Sequence, residues 1–293
     1  MGYLHINNLY KDQLILQMKE VYALEKIHGT SAHIKFTPAQ TSDSEDFTLT
    51  FFSGGEKHEK FVNLFDQEKL KTIYNERYLG SEITIFGEAY GGKQQGMSPT
   101  YGQELKFIAF DVKIGDSWLD VPNAFDVATH FGIEFVDFVK IPTTLEAIDA
   151  ERDKPSTQAK RNGIVEDKLR EGVVLRPLFE ITLNNGSRLI VKHKRDEFKE
   201  TSTPRKVVDP AQMEILRNAE HIAEEWVTSM RLSHVLDKIP DHMDISKTGI
   251  VIKAMQEDVL REAEGEIEVD KSVLAAIGKK TATMFKQHVT TVK

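Results

Sequence analysis

The sequence predicts an α+β protein in two parts: residues 1–205, built of antiparallel sheets flanked by helices, and residues 206–293, a small all-α domain. Three observations predict it. Period-two alternation recurs through the first two thirds, as where Ala32, Ile34 and Phe36 alternate with His33 and Lys35. The composition shifts at 200–210 to Glu-Thr-Ser-Thr-Pro-Arg-Lys-Val-Val-Asp-Pro. After that point apolar residues fall at helical spacing, with Leu216, Ala219, Ala223, Trp226 and Met230 on one helix face.

Runs of strand-forming residues bounded by turn signals place strands at 20–25, 31–37, 47–52, 82–88, 106–113, 172–176, 179–184 and 188–193. The last two form a hairpin, because Asn184-Asn185-Gly186 between them accepts the positive φ of a tight turn. Residues 56–77 and 122–150 read as helical or mixed, and 91–96 and 151–163 as mobile loops. In the tail, Asp209 before Pro210 is a helix N-cap with proline at the first helical position. Two further helices follow near 246–263 and 271–289.

A chain of 293 residues with 40% hydrophobic and 29% charged content has room for a domain of about 200 residues and a smaller one. It has no cysteine, which excludes disulfides and thiolate metal sites. No apolar run approaches the ~18 residues of a membrane span and there is no leader, so a soluble, cytoplasmic protein is expected. The net charge of −8 opposes a polyanionic partner, but its distribution does not. Acids crowd 251–270, whereas 271–293 holds five lysines and no acid, and Lys192, His193, Lys194, Arg195, Lys199, Arg205 and Lys206 form a second basic stretch.

The chemistry centres on Glu25-Lys26-Ile27-His28-Gly29-Thr30, a lysine on a tight turn between two strands. Such a lysine can meet a phosphate, and glycine lets backbone approach a ligand. Taken alone such a Lys-x-x-Gly tetrad is far more often just an exposed turn lysine. Downstream, in order, come Phe86-Gly87-Glu88, Phe107 to Asp111, Glu171-Gly-Val-Val-Leu-Arg176-Pro177 and Val191-Lys192-His-Lys194. This series resembles motifs I, III, IIIa, IV and V of the covalent nucleotidyltransferases, the superfamily of ATP-dependent ligases and mRNA capping enzymes. It is most similar to the RNA ligase 2 family of T-even phages and trypanosome RNA-editing ligases.

The resemblance implies an ATP-grasp-like nucleotidyltransferase domain followed by a helical, nucleic-acid-engaging one. It implies an ATP-dependent RNA ligase that seals 3′-hydroxyl and 5′-phosphate ends, at nicks in duplex RNA or RNA-containing hybrids, through a lysyl-AMP and an adenylylated 5′ end. A DNA ligase or capping enzyme on the same scaffold is the alternative, and a non-catalytic nucleotide- or RNA-binding protein a further one. By this resemblance Lys26 carries AMP, and Glu25, His28, Gly29, Glu88, Phe110, Glu171, Lys192 and Lys194 hold the nucleotide. Glu171 and Glu88 hold Mg²⁺, for which Mn²⁺ substitutes, and Ser31, Arg176, Arg205 and Lys206 meet the nucleic acid. The partners implied are RNA and ATP, with no membrane, and a monomer of phage or bacterial origin.

Elementary chemistry agrees with these roles. A lysine attacks phosphorus only as the neutral amine, although its free pKa is about 10.4, and nearby cations disfavour the ammonium. Lys192 and Lys194, two apart on one strand, point to the same face and can supply that field and steady a departing pyrophosphate. Without the turn lysine they would be a solvated strand face, Glu88 and Glu171 surface carboxylates, and Phe110 a core ring. Arg176 is a permanently charged fork suited to phosphate. The chain departs from the family pattern at Leu24, where arginine is common, and at Ser31, where asparagine is common. Ser53-Gly54-Gly55-Glu56-Lys57 stands where motif Ia would carry a Lys-Arg pair.

Overall fold

The structure is a computed structural model that describes residues 2–39, 46–204, 207, 217–240 and 242–291. The chain divides into two compact units, residues 1–195 and 196–293, so the division falls upstream of the 205/206 boundary read from composition. Among the described residues no helix is long and apolar enough to cross a membrane.

The first unit runs β1 (Asn7–Asn8), β2 (Glu20–Lys26), β3 (Thr30–Pro38), β4 (Phe47–Ser53), α1 (His58–Val62), α2 (Gln67–Arg77), β5 (Ile83–Gly91), α3 (Ser98–Tyr101), β6 (Leu105–Ile114), β7 (Ser117–Trp118), α4 (Val121–His130), β8 (Phe138–Pro142), α5 (Leu145–Arg152), α6 (Thr157–Arg161), β9 (Gly172–Pro177) and β10 (Val191–Lys194). The strands form two five-stranded sheets, ordered β1-β10-β9-β2-β8 and β4-β3-β5-β6-β7, in which every pairing is antiparallel except β1 with β10. Lys26 ends β2, and the turn that follows it, residues 27–29, carries the chain from the first sheet into the second.

Alternation decides which face of the second sheet is core. Ile34 and Phe36 of β3, Ile83 and Ile85 of β5 and Val112 of β6 are buried against Leu70 and Tyr74 of α2 and Ala124 and Ala128 of α4. Phe36 stacks on Tyr74 at 4.8 Å and on Phe131 at 5.0 Å. Emptying that position to alanine would cost about 3–5 kcal/mol. The opposite face of this sheet carries Ser31, His33, Phe86 and Glu88, with Tyr3 packed on part of it, its N–H donating to Ser31 Oγ at 3.2 Å and its ring meeting Phe86 at 5.2 Å.

Two sequence expectations need correction here. The 179–193 hairpin keeps its turn, with Gly186 at φ 80, but only the Thr182–Arg188 bridge of its ladder, and β10 begins at Val191. Glu180 and Arg188 turn instead into a buried ion cluster. The 151–163 loop contains α6, capped by the buried Ser156, whose Oγ accepts from Ala159 N–H at 3.0 Å. The mixed stretch 122–150 resolves into α4, β8 and α5.

The second unit is helical: α7 (Ala219–Trp226), α8 (Ser229–Asp237), α9 (Thr248–Glu262) and α10 (Lys271–Thr291). Val273, Ile277, Thr281, Phe285 and Val289 make one buried stripe of α10, packed with Trp226, Val251, Met255 and Val259. The single face drawn from Ala219 to Met230 is broken, because Val227 leaves helical geometry and Thr228 caps a new helix, accepting from Arg231 N–H. Arg231 then donates Nε to the Trp226 carbonyl at 2.9 Å, satisfying the end of α7. The N-cap of α7 is Asn218; Leu216, Asp209 and Pro210 lie outside the described residues. Part of the acidic run is not surface charge, since Asp258 is buried on Arg231 at 2.6 Å.

Candidate active site

In the first sheet Lys26 pairs with Gly172, and Gly172 with Lys194, so three strands bring two lysines to one face across a residue that has no side chain. Lys192, paired with Val174, lies on the same face one step along β10. A Cβ at Gly172 would run into the His193 carbonyl and the Lys194 Cα, which accounts for glycine there. Gly29 is needed for a similar reason, because a Cβ on it would meet the Ala89 carbonyl and the Glu88 Cγ.

Glu171, the residue before β9, turns its carboxylate into this group and is 1% exposed. Lys26 Nζ lies 3.1 Å and His28 Nδ1 3.0 Å from its Oε2, and Lys194 Nζ lies 3.0 Å from its Oε1. Burial alone would push the Glu171 pKa up, but Lys26, Lys194 and His28 hold it well below the usual carboxylate range. On the second sheet Glu88 stands opposite Ser31 on the adjacent strand. Burial pushes its pKa up to about 7, with Lys26 opposing, the Glu171 charge reinforcing and the Gly29 N–H opposing. His28 is fixed from behind, its backbone N–H donating to Tyr101 Oη at 3.3 Å. Nothing in the local sequence marks Tyr101, 73 residues away, as part of the turn.

The structure thus gathers Lys26, His28, Gly29, Glu171 and Lys194 at one point, with Lys192 on their face and Glu88 and Ser31 on the facing sheet. It does not gather the rest. Glu25, next to Lys26 on β2, points to the other face. Its carboxylate accepts from Ser156 Oγ at 2.5 Å and from the N–H groups of Thr157 and Gln158 at 2.9 and 3.2 Å, with Arg170 at 3.7 Å. Its carboxylate caps α6 and is turned away from Lys26.

Arg176 is not a phosphate fork on the surface. It is 2% exposed, bound to Asp111 at 2.9 Å and to Glu180 at 3.0 Å. Arg188 completes that cluster on Asp111 and Glu180, each at 2.6 Å. Tyr3 donates its hydroxyl to Asp111 at 2.5 Å. A bulge in β6 pairs Phe86 with Asp111 and Gly87 with Ala109, leaving Phe110 without a cross-strand partner. The Phe110 ring meets Tyr3 edge-on at 4.8 Å. Arg205 and Lys206 lie outside the described residues. The lysines of α10 are not all unopposed, because Lys280 pairs with Glu224 at 2.6 Å.

Chemically, the convergent group offers a primary amine held by a carboxylate, more lysine charge than that carboxylate balances, and a second carboxylate poised near neutrality. That suits a ligand carrying phosphates.

Residues 19–194 match the family model for RNA ligase. No curated protein sequence matches the chain. Among solved structures the chain is similar to the RNA ligase of Naegleria gruberi with PPi, at 16% identity and a TM-score of 0.47, covering 68% of this chain and 57% of that one. A lysine-to-alanine variant of that ligase with ATP and Mn matches at 15% identity and 0.47, and a lysine-to-methionine variant with AMP and Mn at 15% and 0.46, with the same coverage. The chain therefore spans 57% of the length of these structures.

Proposed function

The chain belongs to the RNA ligase family, and on that premise we propose that it is an ATP-dependent enzyme joining RNA 3′-hydroxyl and 5′-phosphate ends through a lysyl-AMP on Lys26. Residues 1–195 then act as the nucleotidyltransferase of RNA ligase 2 type, and the helical unit engages nucleic acid. The substrate is a nick in duplex RNA or an RNA-containing hybrid, and the protein works as a soluble cytoplasmic monomer.

The observation that carries the reading is one buried carboxylate, Glu171, shared by Lys26, His28 and Lys194. Glu171 positions the amine of Lys26 and stays ionised while doing so. In the first step Lys26 Nζ forms a bond to the α-phosphorus, and the bond from that phosphorus to pyrophosphate breaks. Lys194 and Lys192 meet the charge that leaves, the role of preorganised cations in a closed site. Glu88 suits acceptance of ribose hydroxyls, and the proton lost by Lys26 leaves with the pyrophosphate or to solvent.

Among the described residues no group of three or more acidic or histidine side chains could hold a metal by itself. Two carboxylates, Glu88 and Glu171, fit a Mg²⁺ or Mn²⁺ that completes its shell with phosphate oxygens and water. Bound there, the ion would neutralise triphosphate charge.

The test is labelling with α-labelled ATP and a divalent ion, followed by mass spectrometry of the adduct. Wild type should gain one AMP on Lys26 and Lys26→Ala none. Equal labelling of Lys26→Ala would sink the proposal, and labelling by GTP in preference to ATP would move the enzyme to the capping class.

A further inference from the structure

The chemical face of the second sheet continues past the site. His33 and Lys35 follow Ser31 on the same side of β3, Phe86 follows Glu88 on β5, and Phe52 of β4 pairs with His33. The His33 and Phe52 rings are stacked, with centroids 5.1 Å and planes 18° apart, and Phe86 tilts against His33 at 5.6 Å. Core packing does not account for Phe52. The hydrophobic cluster on the other side of this sheet takes Phe47, Leu49 and Phe51 from β4 and leaves Phe52 out. Its neighbours on its own side of β4, Thr48 and Thr50, are exposed.

His33 is a flat surface here more than a charge. Burial, with the chain's N-terminus and Lys35 acting the same way, pulls its pKa down to about 4, and its Nδ1 has no hydrogen-bond partner. Lys35, one step further along the strand and 34% exposed, brings a positive charge beside the rings, shared with Glu82 at 3.0 Å. The ring pair sits about 7 Å from Ser31, the length of two strand residues.

The geometry points to a stacking platform for a nucleobase next to the RNA end: the Phe52–His33 pair takes the base while Lys35 faces the backbone phosphate. This rests on the RNA ligase reading and adds to it where the strand being joined is gripped. Every base offers a π face, so such a platform holds RNA without reading its sequence. His33 lies two residues from Ser31 on β3, and Phe86, which tilts against it, two residues from Glu88 on β5, so a base on the pair belongs to the nucleotide flanking the reacting end.

The experiment uses the full chain and a nicked RNA duplex whose nick-flanking nucleotide carries its base or is abasic. Affinity is read by fluorescence anisotropy, and lysyl-AMP formation is read in parallel. Wild type should bind the abasic duplex about tenfold more weakly, within the range for one base–aromatic stack. Phe52→Leu, which keeps apolar bulk but no ring, should bind the intact duplex about tenfold more weakly and no longer distinguish the two. His33→Gln should do the same, and both variants should form lysyl-AMP as wild type does. Undiminished discrimination in both variants, or no discrimination in wild type, would overturn the platform. Absence of lysyl-AMP in wild type would instead count against the ligase reading itself.

Discussion

Two buried carboxylates ringed by cations flank β9, Glu171 just before it and Asp111 of β6 against its Arg176, and their surroundings differ. Asp111 is held by Arg176 and Arg188, with the Tyr3 hydroxyl donating to it and Glu180 sharing both guanidiniums. Two arginines face two acids, and Arg188 also lies over the Trp118 ring at 4.0 Å. Burial, then the Asp111 charge, keeps the Tyr3 pKa well above its usual value, so it remains a neutral donor. That cluster is closed. Glu171 instead faces Lys26, Lys194 and His28, with Lys192 on the same face. Arginine stays charged and locks into a planar fork, whereas lysine is a compact charge that can give up its proton. A balanced arginine cluster is a rivet between sheets. A lysine cluster around one carboxylate suits the anion that the proposed reaction would bring.

The sharpest way to break this contrast is Asp111→Ala. It leaves two buried arginines short of a partner and should cost about 3–5 kcal/mol of stability in denaturant titrations. A variant as stable as wild type would remove the distinction. Lys194→Ala should do the reverse, slowing lysyl-AMP formation about 10²–10³-fold while leaving the unfolding transition nearly in place. If Lys194→Ala unfolds the protein as readily as Asp111→Ala, both clusters are structural.

A smaller effect separates the site face from both clusters. His33 has a folded pKa of about 4 against 6.5 in the free side chain, so the folded state binds fewer protons between those values. Its contribution to stability is complete above pH 6.5 and is lost as pH falls towards 4. His33→Gln should flatten that part of the stability profile, and an unchanged profile would place the ring in water. The smallest effect belongs to the helical unit. Lys279 and Lys286 are exposed on α10, and alanine at either should lower the salt slope of RNA binding by about one, with lysyl-AMP formation unaltered. A slope that stays put would assign those lysines no phosphate.

What the sequence determined by itself was local. Alternation drew β2 to β6 and β9 to within a few residues at their ends, and the lysine turn between β2 and β3 was legible from its glycine and flanking strands. The common face of Lys192 and Lys194 followed from a period of two. The same period sets Glu25 and Lys26, adjacent on β2, on opposite faces, so only one of them can meet a ligand there. Only the tertiary structure decided that Arg176 is buried, because its partner Asp111 lies 65 residues away. Only it decided that α6 forms in an apparent loop, because the carboxylate that caps it lies 131 residues back at Glu25. A side chain's period is fixed by its nearest neighbours along the chain. Its charge partner is fixed by which strands pair and in what register, and that is settled by the burial of the whole core.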